Sequence, residues 1–217
     1  MPQAFIFDLN GTMINDMLYH ELAWYDILVN ELHAPLSRDD VKGQMYGKNE
    51  EMLVRVFGAG KFTQEEMDAI VARKEIRYRN DFLPHLELIK GLGPLLAKAK
   101  VNHIRMAIGT AAIKGNVDFV LDNLQIREYF PVIVGPEDVK KSKPDPEVFS
   151  KAAELSGVAP GKCIVFEDSP KGIEAARRAG MKAVGITTYH TADELKADNV
   201  LCIIDDYTDK ALNELIW

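Results

Sequence analysis

Four short segments of the 217-residue chain carry side chains whose types and spacing suit joint chemistry. The first is Asp8-Leu9-Asn10-Gly11-Thr12, directly after the apolar run AFIF. A two-residue period puts Asp8 and Asn10 on one side of a strand end and Leu9 on the other. Gly11 then permits a sharp turn. Ligands of parallel sheets bind beyond the carboxyl ends of strands, so an aspartate there is placed for work rather than for packing. Taken alone, Asp, Asn and Gly in a row also make an ordinary turn.

The second segment is Gly109-Thr110-Ala111-Ala112, again at a strand end and before a helical pattern. Thr110 offers a hydroxyl, and the helix start offers N–H groups, to a phosphate; alone, the segment reads equally as a helix N-cap. In Ser142-Lys143-Pro144-Asp145-Pro146, Pro144 fixes the chain after Lys143, and Asp145-Pro146 reads as an N-cap and first helical residue. A lone lysine is a solvated surface charge unless another site calls for a cation. The fourth segment, Glu167-Asp168, ends the run CIVFED and precedes Ser169-Pro170. Adjacent acids ending a buried strand are costly unless they bind something. A hard cation such as Mg²⁺ takes carboxylate, carbonyl, water and phosphate oxygens, which suits Asp8 with Glu167 and Asp168. Helix capping is as open for this acidic pair.

The elements that must position these residues follow a β-α-β rhythm. Strand-like runs AFIFDL, IRMAIG, PVIVG, KCIVFED, KAVGIT and VLCIID alternate with amphipathic segments near 88–100, 113–124, 146–156, 170–180 and 207–216. This predicts an α/β fold with a doubly wound parallel sheet, its strands apolar enough for burial on both faces. Residues 15–87 break the rhythm: YHELAWYDILVNEL and TQEEMDAIVARKEIRYRNDF are helix-like, and no convincing strand intervenes. The expected organisation is a core of residues 1–14 and 88–217 with a helical insert at 15–87. The insert is expected to sit as a lid over the sheet end where Asp8 emerges.

Composition narrows the partners. With 47% apolar and 27% charged residues, the chain is neither disordered nor fibrous. A net charge of -7 argues against nucleic acid or an anionic membrane as the main partner. No apolar stretch reaches the roughly 18 residues that span a bilayer, and no basic start precedes the first strand, so a cytoplasmic location is expected. Cys163 and Cys202 lie in apolar runs and read as small buried hydrophobes.

Together and in this order, the four segments resemble the haloacid dehalogenase superfamily over essentially the whole chain. The likeness is nearest to its branch of β-phosphoglucomutase and small sugar-phosphate phosphatases. It implies a Rossmann-like core with a helical cap inserted after the first strand. It also implies that Asp8 attacks phosphorus to form an aspartyl phosphate. Asp8 and Asp168 with Glu167 and the backbone carbonyl of Asn10 would hold Mg²⁺, while Thr110 and Lys143 would bind the transferring phosphoryl oxygens, beside Ala111. In the cap, His20 and Trp24 of YHELAW add to the similarity as substrate-binding residues. Gly47 and Lys48, in Met45-Tyr46-Gly47-Lys48-Asn49, resemble the branch's specificity loop. His20 and Trp24 also fit an ordinary amphipathic helix face, and Lys48 a solvated lysine. The implied partner is a small phosphorylated metabolite, handled by a monomer.

Two positions depart from the family's pattern. Phosphatases and mutases of this family carry a second aspartate where this chain has Asn10; that carboxylate serves as general acid and base, and an amide cannot. Slow turnover of sugar phosphates is therefore expected, with a longer-lived intermediate. Tyr46 also departs from the mutase loop, which disfavours true phosphomutase activity. Other readings are a phosphonate (C–P) hydrolase using Lys48 as a Schiff base, and a catalytically impaired phosphate-binding protein. Dehalogenation is disfavoured by the Glu167-Asp168 pair, which that chemistry does not need.

Overall fold

A computed structural model describes residues 1–216. In chain order the elements are β1 (Ala4–Phe7), α1 (Met17–Tyr25), α2 (Arg38–Gln44), α3 (Asn49–Phe57), α4 (Gln64–Phe82), α5 (Leu92–Val101), β2 (Arg105–Gly109) and α6 (Lys114–Asn123). There follow β3 (Val132–Val134), α7 (Glu147–Leu155), β4 (Cys163–Glu167), α8 (Pro170–Arg178), β5 (Lys182–Ile186), β6 (Val200–Ile204) and α9 (Lys210–Ile216). The chain divides into two compact units, Met1–Asn15 with Glu87–Trp217, and Asp16–Leu86.

The first unit holds a six-stranded sheet of order β3-β2-β1-β4-β5-β6, with every neighbouring pair parallel. This is the Rossmann-type order, whose reversal falls between β1 and β4 and opens a crevice beyond their carboxyl ends. β1 is buried along its whole length because it is central, and its alternation sorts residues to two faces. On one face, Ile6 joins Val148, Phe149 and Ala152 of α7 and Ile173 and Ala176 of α8. On the other, Phe7 stacks on Phe166 of β4 with ring centroids 4.6 Å apart, and Phe5 meets the same ring edge-on at 5.3 Å. Phe130 and Tyr207 extend this aromatic layer.

The second unit is helical. Ser37 and Asp40 cap α2 reciprocally, Asp40 N donating to Ser37 Oγ (3.1 Å) and Ser37 N to Asp40 Oδ2 (2.9 Å). Thr63 and Glu66 repeat the device on α4 at 3.2 and 2.8 Å. Such caps satisfy backbone donors that a helix start leaves over, each stabilising by about 1 kcal/mol. The apolar core of this unit is Trp24, Ile27, Leu28, Val41, Met52, Leu53, Ile70 and Val71. The charged-looking α4 also buries Lys74, Glu75 and Tyr78. Lys74 Nζ donates to His20 Nδ1 (2.6 Å) and Glu75 Oε1 (3.1 Å), and His20 Nε2 lies 3.4 Å from Asp16 Oδ2. Burial depresses the Lys74 ammonium below the usual lysine range, against the pull of Glu75 and Asp16.

Cys163 is buried and Cys202 half-buried, and burial pushes both thiols up to about 11. Neither is a reactive thiolate at neutral pH. Among the described residues, no helix is long and apolar enough to cross a membrane.

Candidate active site

The site is built where two adjacent strands end. Phe7 of β1 pairs with Phe166 of β4, so Asp8 and Glu167 emerge side by side at the switch point of the sheet. Asp8 N donates to the Phe166 carbonyl (3.0 Å), which carries the sheet one step past β1. The chain then turns at once: Gly11 adopts φ 71°, a conformation only glycine takes without strain. Thr12 N and Met13 N both donate to the Leu9 carbonyl, at 3.3 and 2.8 Å.

Lys143 joins the two carboxylates. Its Nζ donates to Asp8 Oδ1 at 2.7 Å and to Glu167 Oε1 at 2.8 Å, and it rests 4.6 Å from the centroid of the Phe149 ring. The three side chains are almost wholly removed from water, at 10% exposure for Asp8, 11% for Lys143 and 1% for Glu167. The second oxygen of Glu167 accepts from Ser169 N (2.7 Å) and Ser169 Oγ (2.9 Å). Ser169 Oγ in turn caps α8 by accepting from Gly172 N (3.1 Å), so the helix is capped by the serine and not by the acidic pair. Asp168, also buried, accepts from Thr12 Oγ1 at 3.4 Å.

The Lys143 ammonium bridges two of three clustered carboxylates. Burial raises the Asp8 carboxyl to about 6; Lys143 opposes that rise and Glu167 adds to it. Burial works against the Lys143 ammonium too, yet Asp8 and Glu167 outweigh it and hold the group above the usual lysine range. The local surplus of negative charge is what a cation relieves. Asp8, Glu167 and Asp168 each offer an oxygen, these oxygens lying within 4.8 Å of one another. An all-oxygen carboxylate set of this kind fits a hard divalent cation.

The remaining sequence-derived candidates are placed as follows. Thr110 is buried just past β2; its N donates to the Val134 carbonyl (3.0 Å) and its Oγ1 accepts from Ala112 N (3.0 Å). It does not cap α6, whose N-cap is Ile113, because the Thr110 hydroxyl closes a local turn instead. Ala111 is exposed beside it. Asn10 is half-buried and bridges to Ile14. The helix after Lys143 starts one residue later than the sequence suggests, with Pro146 at the N-cap and Asp145 Oδ1 accepting from Glu147 N (3.1 Å).

His20, Trp24, Gly47 and Lys48 belong to the helical unit. His20 is buried, stacked on Tyr78 at 3.7 Å, and Trp24 is buried in the apolar core. Gly47 has φ 76° and Lys48 N donates to Glu51 Oε2 (3.0 Å). Sequence reasoning missed Ser169, which engages Glu167, and three residues on the turns' far side, Thr188, His190 and Tyr207. For Ser169 the signal was present in its N-cap position before Pro170. The other three stand in no recognisable pattern.

Comparison with known proteins agrees with this geometry. A family model described as haloacid dehalogenase-like hydrolase matches residues 5–186. A β-phosphoglucomutase of Bacillus subtilis (strain 168) is 34% identical over 98% of this chain and 94% of its own. A fructose-1-phosphate phosphatase of Escherichia coli (strain K12) is 34% identical over 83% of this chain and 94% of its own. The crystal structure of a β-phosphoglucomutase from Clostridium difficile superposes with a TM-score of 0.83 at 25% identity, covering 99% and 98% of the two chains. The family match over residues 5–186 and the likeness along the whole chain place it among the haloacid dehalogenase-like hydrolases, in their β-phosphoglucomutase-like branch.

Proposed function

We propose that the chain is a Mg²⁺-dependent phosphatase of small phosphorylated metabolites, of the sugar-phosphate type, with Asp8 as covalent nucleophile. The observation that carries this reading is the Lys143 ammonium bridging Asp8 and Glu167 beside Asp168, at the switch point of the sheet. Mg²⁺ held by Asp8 and Asp168, with Glu167 and the Asn10 carbonyl, would offset the charge of the approaching phosphate ester.

The chain's own residues do the rest. Asp8 attacks phosphorus, an Asp8 oxygen–phosphorus bond forms, and the ester bond to the leaving oxygen breaks. Lys143 and Thr110 hold the phosphoryl oxygens as charge moves onto them. The leaving alkoxide takes its proton from water, because the Asn10 amide has none to give at neutral pH. Water then attacks the same phosphorus, releasing inorganic phosphate and restoring Asp8. With no carboxylate at residue 10 to draw off the water's proton, both steps are slow and the phosphorylated enzyme accumulates.

The test is to mix the protein with Mg²⁺ and an activated aryl phosphate and to map the phosphorylated peptide by mass spectrometry. The label is expected on Asp8 and absent from Asp8→Asn. A label elsewhere, or turnover indifferent to that substitution, refutes the reading. A phosphomutase is the second reading, favoured by the 34% identity with the Bacillus subtilis enzyme. The fate of the phosphoryl group separates the two, since a phosphatase passes it to water and a mutase returns it to sugar.

A further inference from the structure

Asp8 and Asp168 stand on two turns, one after β1 and one after β4, where backbone groups have run past their sheet partners. Buried backbone groups of this kind must find other partners. Three peptide units here are tied at both ends. In the 168–169 unit, Ser169 N donates to Glu167 Oε2 (2.7 Å) and the Asp168 carbonyl accepts from His190 Nδ1 (3.0 Å). In the 11–12 unit, Thr12 N donates to the Leu9 carbonyl (3.3 Å) and the Gly11 carbonyl accepts from the Thr188 hydroxyl. In the 12–13 unit, Met13 N donates to Leu9 O (2.8 Å) and the Thr12 carbonyl accepts from the Tyr207 hydroxyl (2.8 Å).

Each inner tie is local to its turn. Each outer tie comes from a side chain far along the sequence, Thr188 and His190 after β5 and Tyr207 after β6. A carbonyl only accepts, so His190 carries a proton on Nδ1. The segment from Thr188 to His190 therefore spans the two turns, holding one carbonyl of each.

We propose that His190 is a positioning residue for the cation site, fixing through the Asp168 carbonyl the angle at which the Asp168 carboxylate faces Asp8, with Thr188 anchoring the same segment to the nucleophile's turn. The proposal rests on reading Asp8 and Asp168 as cation ligands. A peptide unit is planar, so it turns as a block about its flanking bonds. Tied at both ends, the 168–169 unit cannot turn without breaking a hydrogen bond. The Thr12 hydroxyl, 3.4 Å from Asp168 Oδ1, couples the two turns, and Tyr207 holds Thr12 by its carbonyl. Partners one step behind metal ligands act chiefly by orienting those ligands.

The test compares His190→Ala, His190→Asn and His190→Gln in the full chain. Asn places an amide N–H at the position of Nδ1, one bond from Cγ, whereas Gln places it one atom farther out. Mn²⁺ binding is followed by electron paramagnetic resonance, folding by thermal unfolding, and kcat and KM with p-nitrophenyl phosphate. We expect His190→Ala and His190→Gln to bind Mn²⁺ about tenfold more weakly or worse, with kcat at limiting metal reduced and KM unchanged. His190→Asn is expected to bind as the unsubstituted protein does. His190→Ala binding Mn²⁺ normally, or Asn and Gln weakening it equally, overturns the proposal. Should His190→Ala not fold, the Asn and Gln pair decides. Failure of the unsubstituted protein to bind Mn²⁺ overturns the cation-site reading itself, a result that needs no variant.

Discussion

At the scale of single residues, Asn10 is expected to limit the rate and Lys74 to stabilise the helical unit. Asn10 cannot exchange a proton at neutral pH, so Asn10→Asp is expected to raise the steady-state phosphatase rate by about 10²- to 10⁴-fold. The gain should be largest for alkyl phosphates, whose leaving group needs a proton; equal rates for both forms would show that residue 10 shuttles no proton. Lys74 is buried with two partners, His20 and Glu75. Lys74→Met keeps the volume and removes the charge they share, which is expected to destabilise the helical unit by about 3 kcal/mol, read by denaturant unfolding. An unchanged midpoint would mean that the cluster relaxes at little cost. That Asp8, Lys143, Glu167 and Asp168 come together was expected from the order of the four segments and the family they resemble, since alone Lys143 reads as a solvated charge and the acidic pair equally as a helix cap. Lys74 was not, since in a charged helix nothing marks which lysine turns inward. His190 and Thr188 bond to backbone carbonyls, and those leave no trace in a sequence pattern.

Among the elements, α8 packs directly against the site. Gly172 lies in its first turn, and a Cβ there would fall 1.7 Å from Glu167 Oε1. On helix propensity alone, alanine is better than glycine by about 1 kcal/mol. Packing reverses that sign, because the Glu167 carboxylate cannot move without leaving Lys143 and Ser169. Gly172→Ala is expected to lower both the unfolding temperature and the metal-dependent phosphatase rate. A variant of higher stability and full activity would show that Glu167 has room to shift. The six strands were legible from their apolar runs, each found within two residues of its expected ends, since burial on both faces leaves a continuous signature. The helices α2 and α3 were not anticipated; both are short, and their starts depend on capping contacts rather than on a long apolar period.

For the whole molecule, the proposed cation site falls within one of the two compact units. All the proposed ligands belong to the sheet-bearing unit. A ligand at 100 times its Kd stabilises the state that binds it by about 2.7 kcal/mol. Calorimetry with Mg²⁺ is therefore expected to raise the unfolding transition of that unit by about 5 to 10 °C, relative to EDTA, and to leave a separate transition of the helical unit in place. No shift at millimolar Mg²⁺ would count against the metal site. The same unit has a property that bears on synthesis. Lys143 follows Asp8 by 135 positions, and Glu167 comes 24 later still. Asp8 thus emerges from the ribosome long before Lys143 and Glu167, and the ties from His190 and Tyr207 arrive last of all. A polypeptide cut short ahead of Lys143 keeps its aspartate yet lacks the ammonium paired with it, so abortive translation products are expected to be inert toward the cell's phosphate esters.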